Sequence, residues 1–216
     1  MNPLDIEIAG ERVRFDARRA LAWPRRHTLF VADMHLGKAS LLRQAGAALP
    51  RGTTTSDLDR LGDLLAAHAA TRLVVLGDLI HGNERTDAQW LHTFAHWRTR
   101  HPDIELVLVA GNHDRHMPLQ QFGFDVVDEW TDAPFVGLHH PSRRSGAHVL
   151  AGHVHPAAWL RDGRLRQRHP AFWNNSDSTI LPAFGSLCGL SPLAAPAGMH
   201  TYAATPGGIV RTSARR

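Results

Sequence analysis

The chain has 216 residues, of which 43% are hydrophobic and 20% are charged, and its formal net charge is +4. This hydrophobic content is enough for one sizeable core, so we expect a single domain over residues 1–216. The one cysteine, Cys188, excludes an internal disulfide, a thiolate-rich zinc site and an iron–sulfur cluster. No apolar run approaches the length of a membrane span and the N-terminal residues lack the apolar segment of a secretory signal, so we expect a cytoplasmic protein.

Short apolar runs alternate with segments of helical period along most of the chain. Near the start of the chain, the segment IEIAGERVRF predicts a hairpin, with Gly10 in its turn. Apolar residues at helical spacing predict one helix after the start signal at 53–57 and a second after Thr86. Buried strands are predicted by five runs rich in Val, Leu and Ile, at 29–32, 73–76, 104–110, 135–138 and 149–151. The alternation predicts a layered α/β core with a mostly central sheet.

The last quarter of the chain has a different pattern. Asp162-Gly163 predicts another hairpin, and the Pro/Ala/Gly-rich stretch 191–198 predicts a loop. Arginines cluster at 143–144 and at 161–168. Such clusters can guide a polyanion such as nucleic acid, but they can equally be a solubilising surface, and both interpretations stay open.

Each of the five inner strands is followed by polar residues that can bind a metal ion. In an extended segment residues two apart point to the same side, so Asp33 and His35 could share one ion. Strand ends border the ligand site of an α/β sheet, so clusters remote in sequence can converge there. The clusters are Asp33-Met34-His35, Gly77-Asp78-Leu79-Ile80-His81, Gly111-Asn112-His113-Asp114, His139-His140 and Gly152-His153-Val154-His155.

This mixture of carboxylate, amide and imidazole groups suits Mn²⁺, Fe²⁺ or Zn²⁺ better than Mg²⁺. Among these ions we favour Mn²⁺. Where two such ions lie roughly 3.5–4 Å apart, they can activate a bridging hydroxide and hold both oxygens of an in-line displacement at phosphorus.

The ordered pattern Asp-x-His, Gly-Asp-x-x-His, Gly-Asn-His-Asp, a lone His and Gly-His-x-His resembles the calcineurin-like metallophosphoesterase superfamily from Asp33 to His155. The resemblance implies a four-layer α/β/β/α sandwich with two central mixed sheets flanked by helices. It also implies a ligand set of two ions, in which His140 stays an alternative to His139. One ion would be held by Asp33, His35 and His155, the other by Asn112, His139 and His153, with Asp78 bridging both.

The same resemblance implies roles for residues beside the metals. His113 would be the acid or electrostatic partner of the leaving group, and Asp114 would hold it in orientation. Lys38 and Arg43, on a predicted helix, are candidate contacts to the substrate, with a solvated helix face as the alternative. His81 is expected to support the ligands or line the cleft.

Stretches outside the metal motifs resemble one bacterial branch of the superfamily, the ligase-associated DNA damage response endonucleases. They lie at 32–38, 43–52, 57–61 and 180–185, and the run 186–189 departs from the branch. The branch implies a phosphodiesterase that cleaves nucleic acid in DNA repair, associated with a DNA ligase, a helicase and an exonuclease. The alternatives are a phosphoesterase acting on cyclic nucleotides, nucleotides or phosphoprotein, and a non-catalytic scaffold with the same fold.

Overall fold

The structure is a computed structural model, and it describes residues 3–81, 88–114 and 119–212. Within these residues the strands form two mixed sheets. The first sheet has the order β1-β2-β3-β4-β5-β6-β7, antiparallel from β1 to β4 and parallel from β4 to β7. Its strands are β1 Leu4–Ile8, β2 Glu11–Asp16, β3 Ala20–Trp23, β4 Thr28–Val31, β5 Arg72–Leu76, β6 Glu105–Val109 and β7 Phe124–Val127.

The second sheet has the order β15-β14-β12-β13-β10-β9-β8 along the described strands, and β11 pairs with β12 beside it. In this sheet β9, β10 and β13 are parallel, and the other pairs are antiparallel. Its strands are β8 Trp130–Asp132, β9 Phe135–Leu138, β10 His148–Ala151, β11 Ala157–Asp162, β12 Leu165–Asn174, β13 Ser178–Ile180, β14 His200–Thr205 and β15 Gly208–Thr212.

The prediction of one mostly central sheet is wrong. The five predicted inner strands all exist, but β4, β5 and β6 pair with one another while β9 pairs with β10 in the other sheet. Apolar runs identify buried strands without specifying their partners, which explains the error. The two mixed sheets with flanking helices that the family resemblance implies are confirmed.

Both predicted hairpins are present. Ala9 and Gly10 turn between β1 and β2, and both have positive φ, the conformation that a tight hairpin turn requires. At the second hairpin Asp162 pairs with Leu165, so the turn is made by Gly163 and Arg164. The β11–β12 hairpin therefore lies one residue later than the Asp-Gly signal suggests.

The inner strands of the first sheet, β3 to β6, are buried on both faces. Val75 packs among Leu58, Leu61 and Phe94 of the helices, whereas the neighbouring Val74 faces the second sheet. The helices are α1 Lys38–Gln44, α2 Thr53–Ala67 and α3 Ala88–Arg100. Helix α2 begins at the predicted start signal, whereas Thr86, the signal for α3, lies outside the described residues.

The space between the two sheets is a second apolar core. Phe15 of β2 stacks on Phe172 of β12 with ring centroids 4.2 Å apart, and Phe30 of β4 meets Trp130 of β8 edge to face. Such aromatic pairs stabilise the interface beyond their burial, by about 0.5–1.5 kcal/mol each. The two sheets are therefore held in a fixed relation by close packing.

The outer face of the second sheet is covered by β11 and by residues 186–199, which have no regular secondary structure. Ala158 of β11 and Met199 pack with Trp173 and Ala203 there. The loop predicted at 191–198 is thus confirmed, and it has a packing role. In the part of the chain that the structure describes, no helix is long and apolar enough to cross a membrane.

Candidate metal centre

The predicted site residues meet at the seam between the two sheets. Strands β4, β5 and β6 of the first sheet lead into Asp33, Asp78 and Asn112, and strands β9 and β10 of the second lead into His139 and His153. Hydrogen bonds cross the seam: the backbone N–H of His153 donates to both carboxylate oxygens of Asp33, at 3.1 and 2.9 Å. The convergence expected from the sequence therefore occurs, but between the edges of two sheets.

The loops that carry these residues are not extended, contrary to the argument made from strand alternation. Five of the site residues have φ between 48° and 67°, namely Asp33, His35, Asp78, His153 and His155. Residues other than glycine seldom adopt this left-handed region, and each costs of order 1–3 kcal/mol unless its surroundings fix it. Residues two apart are brought together by these strained turns, because the chain leaves the strand before it reaches them.

The first group of donor atoms consists of Asp33, His35 and His155, whose ligand atoms lie within 4.8 Å of one another. Nε2 of His155 is 3.7 Å from Oδ1 of Asp33, and Nε2 of His35 is 3.9 Å from Oδ2 of Asp78. Burial lowers the pKa of His35 to about 2, with help from the neighbouring His81 and Lys38. The ring is therefore neutral, the form that can donate a lone pair to a metal ion.

The protonation preference of His155 differs from that of His35. Burial opposes its charged form, but a hydrogen bond and the charge of Asp33 raise the pKa of His155 overall. Its Nδ1 lies 3.0 Å from the carbonyl oxygen of Gly189. Donation from Nδ1 to this carbonyl leaves Nε2 directed at Asp33.

The second group gathers around Nε2 of His139. This nitrogen is 3.0 Å from Oδ1 of Asn112, 3.2 Å from Nδ1 of His153 and 3.6 Å from Oδ1 of Asp78. The other ring nitrogen, Nδ1, is 3.2 Å from the carbonyl oxygen of Leu76. A proton on Nδ1 would be donated to that carbonyl, which leaves the lone pair of Nε2 facing the other donors.

The position of His140 distinguishes it from His139. His139 is buried and contacts Leu76 and Asn112, whereas His140 is exposed and packs against His153 with the rings tilted and their centroids 3.8 Å apart. Nitrogens of His139, His140 and His153 still lie within 4.8 Å of one another. The geometry favours His139 as the donor next to Asn112 and Asp78.

His81 and His113 stand beside the first group. Nδ1 of His81 is 3.0 Å from Nδ1 of His35, so His81 can fix the orientation of that ring. His113 has 39% of its side chain exposed, and its Nε2 is 4.0 Å from Oδ2 of Asp78. Its backbone N–H donates to Oδ1 of Asp78 at 3.0 Å. His113 thus reaches both the donor cluster and solvent.

Asp114 is the residue expected to orient the ring of His113, and its described hydrogen bonds go to the backbone. Among the described hydrogen bonds, the carboxylate of Asp114 accepts from the backbone N–H groups of Gly111 at 2.9 Å and Ile80 at 3.2 Å. Burial raises the pKa of Asp114, although these two amides oppose the shift. Asp114 therefore ties the loop after β6 to the loop after β5, because its buried side chain points away from solvent and toward the backbone.

The glycines of the motifs leave space for the donor side chains. A Cβ atom at Gly111 would collide with the backbone nitrogen and Oδ1 of Asp78, and one at Gly77 would collide with the ring of His139. At Gly152 it would come within 2.8 Å of Oδ2 of Asp33. Close approach of the backbone, rather than turn formation alone, explains these glycines.

The two basic residues proposed to contact substrate differ in position. Lys38 lies at the start of α1, and its charge helps to lower the pKa of His35 and of His81, although burial is the larger cause for both. Arg43 instead donates to the carbonyl oxygen of Pro50 at 3.4 Å and to Oγ of Ser40 at 3.1 Å. Lys38 lies beside the donor cluster, whereas Arg43 braces the loop that follows its own helix.

The sequence patterns did not predict the segment that packs against the loop carrying Asp33. Residues 183–188 lie against its loop: Phe184 and Gly185 donate backbone hydrogen bonds to Ala32 and Asp33, at 2.7 and 3.2 Å. Burial raises the pKa of the Cys188 thiol to about 12, and Sγ lies 3.3 Å from the carbonyl oxygen of Asp33. The thiol thus stays protonated as a packing group.

Two charged residues of α2 hold that segment. Asp57 accepts hydrogen bonds from the backbone N–H and the hydroxyl of Ser186, and Arg60 donates to the carbonyl oxygen of Phe184 at 2.5 Å. The guanidinium of Arg60 also lies 4.2 Å from the centroid of the Phe184 ring and 3.0 Å from Asp57. The i,i+3 spacing of Asp57 and Arg60 was visible in the sequence, but nothing there indicated their partner.

The donor set fits a pair of divalent cations. Imidazole nitrogens bind Zn²⁺ and similar ions at about 2.0–2.1 Å, so two ligands of one ion lie roughly 3 Å apart, as the donors around His139 do. In the first group, the carboxylate and imidazole ligand atoms lie within 4.8 Å of one another. The seven donors come from both sheets and contain no thiolate, which agrees with a site for a borderline or hard metal ion.

A family model and a solved structure relate the chain to known proteins. The family model described as calcineurin-like phosphoesterase matches residues 26–178. The crystal structure of the Pseudomonas putida nuclease MPE is similar with a TM-score of 0.84 and 35% sequence identity, over 98% of this chain and 100% of that one. No curated protein matches the chain.

Two further solved structures are much less similar. The Aquifex aeolicus protein AQ665, of unknown function, has a TM-score of 0.41 and 19% identity over 63% of this chain and 81% of its own. The E. coli phosphoesterase Yfce has a TM-score of 0.43 and 14% identity, over 81% and 86%.

Proposed function

Because the chain belongs to the calcineurin-like phosphoesterase family and is a metallophosphoesterase enzyme, we propose that it hydrolyses internal phosphodiester bonds of nucleic acid. The observation that carries the proposal is the convergence of carboxylate, amide and imidazole donors at the seam of the two sheets. The match to a nuclease over nearly the full length of both chains supports nucleic acid as the substrate.

In this proposal Asp33, His35 and His155 hold one divalent ion, and Asn112, His139 and His153 hold the other. Asp78 would be a ligand of both ions. Its position supports this role, since its Oδ2 lies 3.9 Å from Nε2 of His35 and its Oδ1 lies 3.6 Å from Nε2 of His139. When bound, the two ions supply Lewis acidity to the phosphoryl group and to the attacking water. Mn²⁺ remains our preferred ion, with Fe²⁺ and Zn²⁺ as alternatives of the same ligand preference.

The chain's own residues position the substrate and move the proton. His113 is exposed beside the donor cluster, so its ring can donate a proton to the oxygen that leaves phosphorus. Lys38 places a cation on the same side, which favours an anionic phosphodiester. His81 fixes the ring of His35, as its 3.0 Å contact supports.

The resemblance to the ligase-associated endonucleases extends the proposal to biology. We propose that the enzyme acts in DNA repair in the cytoplasm, alongside a DNA ligase, a helicase and an exonuclease. These roles depend on the nuclease activity, so a result that excludes this activity would also exclude them.

The activity can be tested with the purified chain in Mn²⁺. We expect hydrolysis of bis(p-nitrophenyl) phosphate and cleavage of DNA, and loss of both when EDTA is added. Asp78→Asn should abolish both activities, because it removes the carboxylate placed between the two donor groups. His113→Ala should lower kcat for DNA cleavage by about 10²–10⁴-fold, the usual contribution of a general acid.

The matched control for His113→Ala is His96→Ala, an exposed histidine on α3. It should leave both activities unchanged, and circular dichroism should show that all variants are folded. Wild-type rates in Asp78→Asn, or in His113→Ala, would contradict the assignments.

A further inference from the structure

A groove on the outer side of the second sheet begins next to the donor cluster. It has a volume of about 690 Å³ and lies between the β11–β12 hairpin and residues 192–199. Both of its walls start at the site: β11 begins two residues after His155, and the backbone N–H of Ser191 donates to the carbonyl oxygen of His155 at 2.9 Å. Both walls of the groove are therefore connected to His155, by two residues of chain on one side and by a backbone hydrogen bond on the other.

One face of the hairpin that lines this groove carries an aromatic ring among guanidinium groups. In the β11–β12 register Trp159 lies opposite Arg168, and Arg161 lies opposite Arg166. Alternate residues of a strand share a face, so these four side chains point the same way, while Ala158 and Leu160 pack on the sheet beneath. The guanidinium of Arg166 is 4.2 Å, and that of Arg168 5.6 Å, from the Trp159 ring centroid.

The arginines on this face of the hairpin have no carboxylate partner among the side chains that the structure describes, which do not include that of Asp162. The face contributes Arg161, Arg166 and Arg168 to the lining, whereas the guanidinium of Arg211 contacts His200 and the ring of Tyr202. The other arginine cluster differs, because Arg143 and Arg144 pair with Asp177 and Glu129 at 3.1 and 2.8 Å. The positive charge of the groove is thus available to an external anion.

Trp159 stays 52% exposed although two guanidinium groups lie over it. The combination of an aromatic ring with arginines in a groove is typical of proteins that bind unpaired nucleotides. Bases stack on the ring or on the guanidinium planes, and the charges contact the phosphates. Duplex DNA would not present its base faces in this way.

From this arrangement we propose that the Arg–Trp groove, formed by Trp159, Arg161, Arg166 and Arg168, binds unpaired nucleotides flanking the bond that is cleaved. The inference rests on the proposed phosphodiesterase function, since it names where the substrate lies beyond the metals. Trp159 is four residues past His155, which at about 3.3 Å per residue places it within roughly 13 Å along β11. The groove therefore holds nucleotides next to the site.

The test is binding of a fluorescein-labelled oligothymidylate, measured by anisotropy in EDTA so that no cleavage occurs. Trp159→Ala should raise Kd about five- to 150-fold, the range that follows from the loss of one stacking contact. Arg166→Gln with Arg168→Gln should reduce the slope of log affinity against log salt by about 1.4, since each phosphate contact in a single strand contributes about 0.7.

The matched control is Arg143→Gln with Arg144→Gln, which removes the same charge from the paired cluster. It should leave Kd within about twofold, because screening weakens distant charges. Hydrolysis of bis(p-nitrophenyl) phosphate in Mn²⁺ should be unchanged in every one of these variants, since the small substrate does not reach the groove.

Two results would overturn the groove assignment. One is an unchanged Kd in Trp159→Ala; the other is binding to phosphatidylserine vesicles that depends on Trp159 as strongly as oligothymidylate binding does, which would assign the surface to a membrane. Absence of bis(p-nitrophenyl) phosphate hydrolysis in the wild type would count against the proposed activity alone, because binding is measured without turnover.

Discussion

At the scale of single residues, the centre depends on backbone conformations that side chains normally avoid. Asp33, His35, Asp78, His153 and His155 all have left-handed φ values, and all five belong to the cluster of donors. The sequence predicted all five residues, because their types and spacing are distinctive. It could not predict their conformations, since nothing in an Asp-x-His pattern distinguishes an extended chain from a left-handed one.

The glycine at 111 should be as important as the donors themselves. Gly111→Ala places a methyl group against the backbone nitrogen and Oδ1 of Asp78, so we expect a loss of about 1–3 kcal/mol in unfolding free energy, as for other overpacked sites. Phosphodiesterase activity should fall further than stability, because the displaced atom is a proposed ligand. Urea unfolding and bis(p-nitrophenyl) phosphate hydrolysis would measure the two effects.

Gly189 provides the control for this substitution. It also lies near the centre, but a Cβ atom there would meet nothing within 4 Å. Gly189→Ala should retain stability and activity, and equal damage in both variants would refute the steric explanation.

At the scale of secondary-structure elements, helix α2 supports the centre from a distance. Asp57 and Arg60 hold residues 184–186, and this segment donates backbone hydrogen bonds to the loop of Asp33. The sequence predicted the helix from its apolar period, and it predicted hairpins from turn residues. The contact between α2 and a segment more than 120 residues later could not be predicted, because a hydrogen bond to a backbone carbonyl leaves no pattern in side-chain types.

Asp57→Asn tests this support. It leaves the guanidinium of Arg60, which is largely buried, without its carboxylate partner, so we expect a loss of about 3 kcal/mol in unfolding free energy. Hydrogen exchange at the amide of Ser186 should accelerate, because that amide donates to Asp57. Mass spectrometry of peptides covering 183–188 would show the change.

Asp59 of the same helix offers the comparison. It pairs with Arg100 at 3.0 Å, but both side chains are about half exposed, so Asp59→Asn should change stability by less than about 1 kcal/mol. If the two variants behaved alike, the segment would not depend on α2.

At the scale of the whole molecule, the two sheets share one core. Phe15, Phe30 and Val74 of the first sheet pack with Phe172 and Trp130 of the second. Composition predicted enough apolar residues for one core, but hydrophobic runs did not reveal that the strands divide into two sheets. That division followed only from the family resemblance, because strand pairing is set by contacts across the whole chain.

We predict that the chain unfolds as one cooperative unit, as expected for the proposed single domain. Far-ultraviolet circular dichroism and tryptophan fluorescence should report the same urea midpoint, since both sheets contribute to the core between them. Phe172→Ala should lower the unfolding free energy by about 3–5 kcal/mol and shift both signals together. Two separated transitions would show that the sheets are independent domains.

The position of the donors at the seam also has a consequence for how the centre can evolve. The first sheet supplies Asp33, His35, Asp78 and Asn112, and the second supplies His139, His153 and His155, so neither half of the chain possesses a complete coordination sphere. A substitution in the shared aromatic core, far from the centre, could alter the angle between the sheets. Such a change would alter the distances between the ligand atoms of both proposed sites at once. We therefore expect the metal preference of the proposed centre to depend on the packing of the core as well as on the ligands.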